Sequence, residues 1–87
     1  MMRFRDLKGF GQRSEEMLPL AGITTVEEFL SADPYEIFRE LKGKVPDLSL
    51  NALYAMIGAQ EDVHWQQVAR ERKTEILLRL DDMGIAP

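Results

Sequence analysis

Leu50-Asn51-Ala52-Leu53-Tyr54-Ala55-Met56-Ile57-Gly58-Ala59 decides the fold, because it is a long apolar run without a single charge. Leu50, Leu53, Tyr54 and Ile57 recur at i, i+3, i+4 and i+7, the spacing of one helical face. Ala52, Ala55, Met56 and Ala59 line the other side of the same helix. A helix apolar nearly all round is covered by its neighbours, so this one is expected at the centre of a bundle. Its small residues let those neighbours approach closely. Tyr54 belongs to the core, and its hydroxyl needs a partner if buried.

Toward the C-terminus, Val63-His64-Trp65 follows Glu61-Asp62 and reads as a connection. Trp65 is expected to pack the last helix against the central one, with His64 capping or hydrogen-bonding nearby. The last helix runs from about Ala69 to Met83, turns Ile76, Leu77 and Leu80 inward, and stops at Gly84. Glu75 and Arg79 stand one turn apart, a pairing worth only ~0.3–0.5 kcal/mol. Glu71 and Glu75 interleave with Arg70, Arg72, Lys73 and Arg79, which reads as a self-paired, solvated face rather than a basic strip. Leu78 lies off the buried face. It is either incidental or a contact with a partner or a second copy.

Toward the N-terminus, Ser49 starts the central helix, and Lys44 to Leu48, with Pro46, reads as a loop. Asp33-Pro34-Tyr35-Glu36 opens another helix, with Asp33 as N-cap, Pro34 at the first helical position and Glu36 reaching back. Ile37, Phe38 and Leu41 are its buried face, and Gly43 ends it. Thr25 with Glu28 is a second capping box, followed by Val26, Phe29 and Leu30 as a buried face. Gln12 to Ala21 forms a short helix with Met17, Leu18 and Ala21 on one face and Gly22 as its stop. Pro19 deletes one internal hydrogen bond there and should tighten or kink it. Ahead of it, Leu7-Lys8-Gly9-Phe10-Gly11 permits a tight turn with positive φ, and Phe10 can plug the core beneath. No alternating apolar run suggests a strand. The expected fold is all-α, a compact bundle of five to six short helices making one domain over residues 1–87.

Composition narrows the function. With 87 residues, the chain supports one small core. It has no cysteine, which removes disulfides, thiol nucleophiles and cysteine-based zinc sites. Nothing reaches the ~18 apolar residues of a membrane span. A cytoplasmic location without membrane contact is therefore the expectation. Net charge is −4, which disfavours a surface that clings to nucleic acid throughout. The charge is uneven: Met1 to Arg13 carries Arg3, Arg5, Lys8 and Arg13 against Asp6 alone, whereas Ser14 to Glu36 carries six carboxylates and no base.

Two stretches carry a resemblance. Leu7 to Leu18 followed by Ala21 to Phe29 resembles a helix-hairpin-helix pattern, as found in SAM-like folds. Leu50 to Ala59, then Val63-His64-Trp65 and Glu71-Arg72-Lys73, resembles the C-terminal domain of the TfoX/Sxy family of bacterial competence regulators. The likeness covers about Leu7 to Leu80. It implies a regulatory domain in natural transformation or related gene control. Family members typically carry a further domain ahead of this one.

The Gly9-Phe10-Gly11 turn is the candidate nucleic-acid contact, with Lys8, Gly9, Phe10, Gly11 and Arg13 as its residues. Free backbone N–H groups at a helix start attract anions, and flanking cations complete a phosphate clamp. Such a grip is sequence-neutral and salt-sensitive. The plainer alternative is that the glycines only permit a tight turn, since Glu15 and Glu16 lie close and repel polyanions. His64 is alone, so a zinc site and a general-base role both lack partners. No catalytic residue, metal or cofactor is expected. The expected partner is a protein, with weak contact to the DNA phosphate backbone as a second possibility and self-association left open. The alternative is a pure protein-interaction module whose hairpin is architectural.

Overall fold

A computed structural model describes residues 2–85. Among these residues there are five α-helices and no strand. The helices are α1 (Gln12–Met17), α2 (Val26–Ser31), α3 (Pro34–Lys42), α4 (Leu50–Glu61) and α5 (Trp65–Asp82), with 3-10 turns at Phe4–Asp6 and Leu18–Ala21. The all-α bundle read from the sequence is what forms. The domain expectation also spans residues 1, 86 and 87, which lie outside the described residues.

The uncharged decapeptide becomes α4, and Leu53, Tyr54, Met56, Ile57, Gly58 and Ala59 are all buried. α5 packs most extensively on it, and α3 covers a further side. Phe29, Phe38, Leu41, Leu53, Ile76 and Leu80 are completely buried and join the helices into one core. Burying each such side chain contributes roughly 1.5–3 kcal/mol.

Local signals set several helix boundaries. Thr25 accepts the Glu28 amide on its hydroxyl at 3.1 Å, and the Glu28 carboxylate accepts the Thr25 amide at 3.1 Å, completing the capping box. Asp33 Oδ1 accepts the Tyr35 amide at 2.9 Å, with Pro34 at the first helical position. Pro19 converts the end of the first helix from α to 3-10 geometry over Leu18–Ala21, and Gly22 follows as its C-cap.

Four expectations need correction. Leu30 is 48% exposed, because Val26 and Phe29 alone fill the space beneath so short a helix. Glu36 does not reach back to cap α3; its Oε2 pairs instead with Arg39 at 3.4 Å. Arg79 does not pair with Glu75. It reaches Asp33 at 3.6 Å and lies 4.8 Å from the Tyr35 ring centroid, while Glu75 is taken by Arg72 at 3.3 Å. The last helix begins at Trp65 rather than near Ala69, since His64 is its N-cap and accepts the Gln66 amide on Nδ1 at 3.1 Å. Trp65 is thus helical, not part of a connection.

Candidate binding groove

The Leu7-to-Gly11 segment forms the turn its glycines suggested. The Phe10 amide donates to the Leu7 carbonyl at 3.1 Å, closing a turn over Lys8 and Gly9. Gly9 has φ +80, which at the third turn position is the signature of type II and favours glycine. Gly11 is extended and forms the N-cap of α1. Phe10 drops inward, its ring 5.1 Å from that of Phe29, which Phe4 meets edge-on at 6.4 Å. An aromatic cluster therefore anchors the turn, while its backbone faces solvent.

The cations of the basic head are mostly committed. Arg5 Nε donates to Glu15 Oε1 at 2.8 Å, and Arg3 lies 3.5 Å from the same carboxylate. This pairing, above all the hydrogen bond from Arg5, holds the Glu15 carboxyl below its ordinary pKa. Arg13 meets Asp47 at 3.2 Å, both side chains standing well out in solvent. Lys8 is exposed and has no ion pair among the described residues. Of the five candidate residues, Gly9, Gly11 and Arg13 line one groove, Phe10 turns toward the core, and the Arg13 charge is already neutralised by Asp47.

Beside the turn lies an open groove of about 550 Å³. Gly9, Gly11 and Arg13 contribute to its lining from the turn and α1, and Asp47 and Ser49 from the approach to α4. Ala52 and Ala55 of α4 add apolar surface, and Trp65 closes the set from the first turn of α5. The groove begins where two helices start without a side-chain cap: neither Gly11 nor Ser49 supplies one. No acidic residue sits in the first turn of α4. The surface thus offers an indole, amide donors and a neutral ion pair, which suits contact with another molecule.

Trp65 joins this site although its type and position suggested only packing. It does pack: the Trp65 amide lies 3.4 Å from where a β-carbon on Gly58 would be. It is nevertheless only partly buried. No pattern along the chain announces this, because it depends on where α5 starts relative to α1. His64 stacks on Trp65 with ring centroids 6.0 Å apart and caps α5. Among the described residues, no group of three or more His, Asp or Glu side chains is placed to hold a metal ion. Nor is any helix there long and apolar enough to cross a membrane.

The family model of the TfoX C-terminal domain matches residues 1–80. No curated protein and no solved structure gives a significant match.

Proposed function

The chain belongs to the TfoX C-terminal domain family, and from that membership we propose that it is a non-catalytic regulatory domain working by contact in natural transformation or related gene control. Its contact surface is the groove between the Gly9–Gly11 turn and Trp65, and its principal occupant is a protein. The observation carrying this reading is the groove's composition: an exposed glycine turn, a partly buried indole and apolar α4 surface, contributed by separate elements to one concavity. Large amphipathic rings in such positions dominate contact energetics. A cytoplasmic setting goes with this role.

A second reading has its own support. Lys8 is exposed beside the exposed Gly9 turn and has no ion pair among the described residues, a position that suits one phosphate of a DNA backbone. With so few phosphates neutralised, that contact is weak and fades quickly with salt.

One pair of experiments separates the two. Labelled duplex is titrated at low salt against the chain and against Lys8→Glu/Arg13→Glu. Binding that falls with salt and vanishes in the double variant supports the phosphate contact; absence of binding leaves the protein contact alone. Asn51→Arg, at an exposed groove position, places a long side chain in the path of an occupant. Expression of DNA-uptake genes in cells carrying Asn51→Arg should drop while the melting temperature holds. Unchanged expression refutes the groove as the regulatory contact.

A further inference from the structure

α1 is the one helix among the described residues that buries no side chain. Met17 is its single apolar residue and is only partly buried. A helix of six residues has little stability of its own, so its position depends on what it touches. Its main neighbours are the 3-10 turns on either side of it in the chain. Toward α4 there is space instead. Both helices line the Trp65 groove of about 550 Å³, and a cavity of about 30 Å³ lies beneath, against Leu41 and Met56. Ser14, Met17, Ala52 and Ala55 line both spaces, so α1 stands off the small side chains of α4.

Two charge contacts hold α1, on opposite edges. Arg13 and Glu15 are two residues apart and so project about 200° from each other around the helix. Glu15 is the better shielded, with 20% of its side chain exposed, and accepts the Arg5 hydrogen bond at 2.8 Å. Arg5 belongs to the 3-10 turn that buried Phe4 anchors. Arg13 reaches Asp47 at 3.2 Å, with 61% and 76% of the two side chains exposed. This pair joins the two walls of the groove, Arg13 from α1 and Asp47 from the approach to α4. Exposed pairs of this kind contribute little and are screened by salt. The segment is fixed at each end, by the Phe10 ring 5.1 Å from that of Phe29 and by buried Leu18. What is left to α1 is rotation about the line between those ends.

We propose that α1 is a rocking gate on the Trp65 groove. Its Glu15 edge stays on Arg5 while its Arg13 edge lifts off Asp47, opening the groove onto the cavity beneath Met17. The Arg13–Asp47 pair is the latch, weak enough for an entering molecule to displace. The motion belongs to the chain alone and stands whether or not the groove has the role proposed above.

The test uses the full chain and two probes already in it. Trp65 is the only tryptophan and lines the groove, so acrylamide quenching of its fluorescence reads how open the groove is. Methyl relaxation dispersion at Met17, Ala52 and Ala55 reads microsecond-to-millisecond exchange where α1 faces α4. Exchange should be present at these methyls and absent at Ile76 and Leu80 in the core. Asp47→Asn should raise the open population by up to about fivefold and increase Trp65 quenching, at an unchanged melting temperature. High salt should do the same to the unaltered chain. The swapped pair Arg13→Asp/Asp47→Arg should return quenching and exchange to their starting values. Quenching and exchange identical with and without the Asp47 charge would overturn the proposal. So would a swapped pair that behaves like Asp47→Asn, or exchange that extends equally to Ile76 and Leu80, which would mean general unfolding rather than a gate.

Discussion

Gly58 and Val63 fit against each other at the end of α4: the Val63 amide donates to the Gly58 carbonyl at 2.9 Å, and a β-carbon on Gly58 would stand 2.5 Å from the Val63 carbonyl oxygen. The Trp65 amide nitrogen lies 3.4 Å from the same point. Both obstacles are backbone, so neither can swing aside. The missing side chain at Gly58 is what lets the chain turn back and start α5 directly against α4. Trp65, and with it one end of the candidate groove, is placed by that close approach.

Gly58→Ala is therefore expected to destabilise the domain by about 1–3 kcal/mol through overpacking, even though alanine is the better helix former by roughly 1 kcal/mol. A lowered urea midpoint at unchanged slope would show it. A raised midpoint would mean that the α4–α5 corner yields easily.

Tyr54 gives the opposite expectation. It is 4% exposed, and its hydroxyl is the buried side-chain polar atom without a hydrogen-bond partner among the described residues. Burial pushes its pKa upward. An unpaired buried hydroxyl costs about 1–3 kcal/mol, so Tyr54→Phe should hold or raise the melting temperature. A clear drop would reveal a partner for the hydroxyl.

Gln60 reaches from α4 to the end of α2, where its side-chain amide donates to the carbonyls of Phe29 at 2.8 Å and Ala32 at 2.9 Å. The Phe29 carbonyl also accepts the Ala32 amide at 3.2 Å, and Ala32 lies past the last turn of α2. Gln60→Ala should cost about 1–2 kcal/mol and speed hydrogen exchange first within Val26–Ser31. Uniform acceleration across the whole domain would show that α2 does not open by itself.

Acid should loosen the same half of the molecule. Glu15 is held below its ordinary pKa chiefly by the Arg5 hydrogen bond, and Glu28 by the hydroxyl and amide of Thr24, with further bonds from Thr25. Both pKa values are depressed on folding. Their stabilisation is thus complete above the ordinary carboxylate value of 4.5 and lost as pH falls through the lower folded values. Melting temperature should decline below about pH 4.5, and Glu15→Gln should flatten that decline. An identical acid profile in the variant would show that the Arg5–Glu15 pair contributes nothing to folding.

Much of the helical architecture was legible along the chain because its causes are local. Thr25 and Glu28 are three residues apart, and Asp33 caps the amide two residues on. The apolar period of α4 repeats within four residues. The start of α5 is harder to see in the sequence, because histidine is a weaker capping signal than Ser or Asp. The candidate turn was legible as a turn, because Gly9 and Gly11 bracket one aromatic residue. Its electrostatics were not, because Arg13 finds Asp47 34 residues later and Arg5 finds Glu15 ten residues later.

By itself, the sequence determined that this chain is helical, where most of its helices lie, that α4 is the axis and that Gly9 bends the chain beside it. Each of these follows from backbone geometry and side-chain spacing within a turn or two. The tertiary structure alone decided which cations are spent and which are free, that Leu30 faces water, and that Trp65 shares a groove with Gly11. Those outcomes depend on which surfaces meet once the helices pack, and residues distant in the chain become neighbours only then.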